Sequence, residues 1–62
     1  MRLIRIKQVI EMTGISRAYV YALAQKGEFP KPVKLSQRSN AWVEQEINEW
    51  IEKRMQLRDK SS

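Results

Sequence analysis

Apolar residues recur at helical spacing in three stretches of the chain and at alternate positions in a fourth. Ile6, Val9, Ile10 and Thr13 follow i, i+3, i+4, i+7, while Lys7, Gln8, Glu11 and Met12 lie off that stripe, which predicts a short amphipathic helix over 6–13. Leu3 and Ile4 precede it as a short extended arm. Gly14 follows as a left-handed stop. Ser16 suits the N-cap of a second helix, because its hydroxyl can accept a free amide of the first turn. No Gly or Pro intervenes before Gly27, so this helix is predicted over 16–26. Val20, Leu23 and Ala24 share one of its faces, and Ala18, Ala22 and Gln25 the opposite one. Arg17 and Tyr21 flank one side, Tyr19 and Lys26 the other.

Phe29-Pro30-Lys31-Pro32 excludes a helix, since each proline pushes its predecessor into an extended conformation. Val33 and Leu35 alternate with Lys34, Ser36 to Asn40 has turn composition, and Ala41-Trp42 offers a returning strand. The stretch 33–42 thus reads as a small basic hairpin. From Val43 the stripe Val43, Ile47, Trp50, Ile51 and Met55 predicts a third helix over 43–57. Glu44 and Glu46 in its first turn, and Lys53 and Arg54 further on, complement the helix dipole. Residues 59–62 are polar and read as a frayed tail, leaving 1–58 as one domain.

Composition narrows what this arrangement can do. The chain has 62 residues, no Cys and no His. That removes a disulfide staple, a thiolate nucleophile, a histidine base and an ordinary zinc site. No metal or cofactor is expected, and no enzymatic role: the exposed helical positions of Glu44, Glu46, Glu49 and Glu52 read as a solvated face rather than paired catalytic carboxylates. Neither a signal peptide nor a membrane span is evident, so the expected location is the cytoplasm. Phe29, Trp42, Ile47, Trp50 and Ile51 are expected to form the core. The formal charge is +5, and it is unevenly placed. Residues 1–42 carry eight cations and two acids, residues 43–62 four cations and five acids, so the positive field belongs to the first two thirds and suits a polyanion.

Two helices joined by Thr13-Gly14-Ile15-Ser16 form a helix-turn-helix pattern, with Ile15 locking the turn into the core. With the basic hairpin as a wing, the fold class is a mainly α, small winged helix-turn-helix of three helices plus a short β-hairpin. In that geometry the second helix enters the major groove of double-stranded DNA. Arg17 at its start can reach a guanine edge or a phosphate. Ala18 and Ala22 point at the groove and let the helix lie close, and Tyr19, Tyr21, Gln25 and Lys26 complete the helical contacts. Lys31, Lys34 and Arg38 on the hairpin suit phosphates or a minor groove. Plainer roles stand beside these: alanines as helix formers, Tyr21 as a wedge between helices, and lysines as guards of an edge strand. A protein-interaction module, docking an integrase, polymerase or toxin through the acidic third helix, is the alternative function. So small a domain contacts few base pairs, which calls for a homodimer or tandem copies on DNA.

The stretches Leu3 to Val9, Thr13 to Tyr21, Gly27 to Leu35, and Trp42 with Glu46, Ile47, Trp50 and Ile51 together resemble the AlpA-type prophage regulators. These are small winged helix-turn-helix proteins related to phage excisionases and to the DNA-binding part of MerR-type regulators. The resemblance covers almost the whole chain and rests on the linked pattern TG-x-S, G-x-FPKP and W-x7-W. It implies DNA binding near the integrase gene or attachment site of a prophage or genomic island. It further implies transcriptional activation, excision control or both, with RNA polymerase or integrase as further partners. The chain departs from the family's pattern at Ala22, where an Arg or another long polar residue is common, and at Ser36-Gln37, where glycines are common.

Overall fold

A computed structural model of the chain describes residues 2–61. The order of elements is β1 (Leu3–Ile4), α1 (Ile6–Thr13), α2 (Arg17–Gln25), β2 (Val33–Lys34), β3 (Asn40–Val43) and α3 (Glu44–Ser61). Helix-turn-helix, wing and closing helix thus follow one another as the sequence pattern predicts, and the fold is a small winged helix-turn-helix.

Local chemistry sets the helix ends. Gly14 adopts φ 76° and its N–H donates to the carbonyl of Ile10 at 2.8 Å, closing α1. The Thr13 hydroxyl donates to the Val9 carbonyl at 2.8 Å and accepts from the Ile15 N–H at 3.4 Å, which ties the turn to the helix it leaves. Ser16 then caps α2 by accepting the Tyr19 N–H at 3.2 Å. At the far end Gly27, with φ 79°, lets the Glu28 N–H donate back to the Leu23 carbonyl at 2.9 Å.

The sheet is antiparallel in the order β1-β3-β2. Leu3 and Ile4, expected as an extended arm, are its third strand, pairing with Val43 and Trp42. The returning strand of the wing begins at Asn40 and continues to Val43, which belongs to β3 rather than to the third helix. Pairing with the arm holds Val43 extended, and Glu44 starts the helix with its N–H bonded to the Arg2 carbonyl at 2.8 Å. The wing tip needs no glycine: the Leu35 N–H donates to the Ser39 carbonyl at 2.7 Å, and Ser36 and Ser39 bond each other's backbone.

Every buried side chain among the described residues is apolar. Ile4, Val9, Val20, Leu23, Ala24, Phe29, Trp42 and Ile47 form one cluster. The apolar stripes read for α1 and α3 and the expected core are corrected in three places. Met12, placed off the α1 stripe, is half-buried against the cluster, because i+3 from Val9 brings it to the inner edge. Trp50 and Ile51 are only half-buried, lying on the rim rather than inside. Met55 is exposed, because by that point α3 has passed the body of the domain. The helix also outruns its predicted end: Asp59, Lys60 and Ser61, expected in a frayed tail, continue α3, and Ser62 lies outside the described residues. No Gly or Pro after Pro32 offers a stop, and Lys, Arg, Gln and Leu all propagate a helix.

At Gly14 an added Cβ would meet nothing within 4 Å, so only backbone conformation resists substitution there. Gly14→Ala should therefore lower unfolding stability by about 1–2 kcal/mol in urea titrations, and Gly14→Asn by less, since Asn tolerates the left-handed region better.

Candidate nucleic-acid interface

Because Val20, Leu23 and Ala24 are buried, the opposite side of α2 must face outward. Arg17, Ala18, Tyr19, Ala22, Gln25 and Lys26 are all exposed, with Tyr19 54% accessible. The division of faces read from the sequence thus holds for every one of these residues. Tyr21 differs: it is half-buried and its ring meets Trp42 edge-on, with centroids 5.7 Å apart. The wedging role is therefore real for Tyr21, which ties α2 to the central strand.

On the hairpin side Lys31, Lys34 and Arg38 are exposed. Lys34 lies on β2 opposite Asn40, and Arg38 sits in the tip, where its N–H donates to the Ser36 hydroxyl at 3.4 Å. Lys31 reaches back towards α2. With Pro32 it lines a shallow depression whose other wall is Tyr21, Ala24 and Gln25, so helix and wing base present one continuous surface. Ion pairs join Arg2 to Glu44 and Arg58 to Asp59, and among the described residues none involves Arg17, Lys26, Lys31, Lys34 or Arg38. Five cations thus stand at the surface outside any ion pair, Lys31 sharing a second depression with Glu46 and Glu49. Arg5 and Lys7 are exposed as well, beside the first turn of α1, and sequence reasoning assigned them nothing because charge alone does not single out a face.

The angle between wing and helix is set by two tryptophans whose polar ends the sequence reading left unassigned. The Trp42 indole N–H donates to the Pro30 carbonyl at 3.0 Å. That of Trp50 donates to the Glu28 carbonyl at 2.8 Å. Both acceptors lie in the segment that leaves α2 and enters β2. Phe29 between them is buried and packs edge-on against Trp50, with centroids 4.8 Å apart. Arg54 lies over the Trp50 ring, 5.1 Å from its centroid. The signal was available in principle, since a tryptophan at the rim of a core usually finds an acceptor for its N–H. Which carbonyl it finds depends on the fold.

The model of the family described as prophage CP4-57 regulatory protein (AlpA) matches residues 2–55. A relative from Enterobacteria phage P4, described as uncharacterized protein ORF88, is 38% identical over 50 residues, 81% of this chain. The chain spans 57% of that protein's length. The DNA-binding transcriptional activator AlpA of Escherichia coli (strain K12) is 36% identical over 90% of this chain and 89% of its own.

Trp50→Phe keeps an aromatic ring against Phe29 but removes the donor to Glu28. A loss of about 1 kcal/mol in unfolding stability is expected, measured by chemical denaturation, because the freed carbonyl lies at the surface and can take a water instead.

Proposed function

The chain belongs to the AlpA family of prophage regulatory proteins, and from that premise we propose that it is a sequence-specific regulator binding double-stranded DNA, with residues 1–58 as its single DNA-binding domain. The observation that carries this reading is the exposed cationic surface, outside any ion pair among the described residues, that joins α2 to the wing. Helix α2 lies in the major groove, with Arg17 at a base edge or phosphate of the first contacted step. The small side chains of Ala18 and Ala22 let the helix axis come close, their methyl groups against thymine. Tyr19 and Gln25 add contacts on either side, and Tyr21 fixes the helix to Trp42 while its outer edge borders the groove. Lys26, Lys31, Lys34 and Arg38 meet phosphates beside it, supplying affinity rather than sequence information.

The regulator acts in the cytoplasm on DNA of a prophage or genomic island, as a homodimer or as tandem copies, activating an integrase gene or acting as an excision factor. RNA polymerase or integrase is its protein partner in the respective case. DNase footprints on the integrase promoter and on the attachment site separate the two roles.

Binding to a footprinted duplex, followed by fluorescence anisotropy, tests the interface. With about five cations on phosphates, log K should fall against log salt with a slope near −4.5. Lys34→Ala should flatten that slope by about one unit and weaken all sequences alike. Arg17→Ala should cost about 1–3 kcal/mol of discrimination between the specific duplex and a scrambled one. A flat salt dependence, with both variants fully active and Glu49→Lys inactive, would instead support the interaction module acting through α3.

A further inference from the structure

Helix α3 has 18 residues, about 27 Å of rise, in a molecule measuring 43 × 24 × 19 Å. Its last buried residue is Ile47 and its last half-buried one is Ile51, and every residue from Glu52 to Lys60 is exposed. About half of the helix therefore projects past the core.

The overhang also completes a division of charge. Residues 44–52 carry Glu44, Glu46, Glu49 and Glu52 and no cation, whereas residues 53–60 carry Lys53, Arg54, Arg58 and Lys60 against Asp59 alone. One flank gathers both signs: Glu46, Trp50, Lys53, Leu57 and Lys60 recur at intervals of four and three, the spacing of a helix–helix seam. Leu57 on that flank is 58% exposed. It borders an open depression walled by Trp50, Lys53 and Phe29-Pro30, which continues past Pro30 and Lys31 to Glu49 and Glu46. Met55 lies on the other flank, beside Met12, and takes no part.

We propose that two copies of the chain pair through α3, antiparallel, along the seam from Glu46 to Lys60. The charge division selects both the partner and its direction. A second copy laid antiparallel sets its basic half beside the acidic half of the first, at both ends of the seam, whereas a parallel copy sets like charge on like. Leu57 of each copy then covers the exposed rim of the other's Trp50. Lys53 meets its counterpart near the two-fold axis, where Glu49 of its own helix, one turn earlier, offsets the repulsion. The pairing uses no residue of α2, and although Lys31 borders its groove, association of the chain without DNA is read apart from the DNA reading.

Sedimentation of the full chain without DNA tests it. Wild type should show a monomer–dimer equilibrium that weakens as salt is raised. E46K/E49K makes the seam wholly basic and K53E/K60E makes it wholly acidic. Each variant alone should associate at least about tenfold more weakly than wild type, while an equimolar mixture should recover a heterodimer. Circular dichroism confirms that each variant keeps its helices, and if either loses them, Leu57→Ser reads the same seam from an exposed position and should weaken the dimer about fivefold. A wild type that stays monomeric at low salt overturns the pairing. So do folded variants that dimerise like wild type, a mixture of folded variants that stays monomeric, or a Leu57→Ser dimer of unchanged affinity.

Discussion

Two indole N–H groups hold the domain in its working shape. The chain between α2 and β2 carries Pro30 and Pro32, so it cannot fold back on itself through a helix and must be fastened from outside. Trp42 fastens it at the Pro30 carbonyl and Trp50 at the Glu28 carbonyl, with Phe29 driven into the core between them. The direction in which the wing leaves α2 follows from these attachments. Since one tryptophan belongs to the central strand and the other to α3, sheet, wing and closing helix are all referred to the stretch Glu28 to Pro30.

A small chain without disulfide or metal ligands has to obtain its stability from area and from connection. The connections are economical. Strand β3 pairs on both edges, with the N-terminal strand on one side and the wing on the other, and carries Trp42 into the middle of the cluster. Tyr21 then joins that tryptophan to α2. No polar side chain is buried among the described residues, so the charged groups are left at the surface, where they can be altered with little consequence for folding. Folding and recognition are therefore written on different residues, apart from Tyr21, which serves the core with one edge and borders the candidate surface with the other.

The same separation applies to the two charged surfaces of the domain. The cations of α2 and the wing form no ion pair among the described residues and give a surface dominated by one sign, which suits a polyanion of any sequence. The charges of α3 are of both signs in separate blocks, which suits a partner with the reverse order. A helix of the same sequence turned end for end has that order, so self-recognition follows from a single asymmetric element.

Punctuation along the chain determined the helix-turn-helix by itself. Gly14, Ser16 and Gly27 fix where α1 ends and where α2 begins and ends, because left-handed backbone and hydroxyl capping are properties of single residues. The outward set on α2 followed from angular spacing alone. Tertiary structure decided the remainder. Leu3-Ile4 is too short to declare itself a strand, and becomes one only through pairing with residues some forty positions away. That pairing also moved Val43 from helix to sheet. Whether Met55 is covered depends on how far α3 extends past the body, and which carbonyls Trp42 and Trp50 reach depends on where the proline-bearing segment passes. Each is a relation between positions distant in the chain, and hydrophobic periodicity reports only on neighbours within one element.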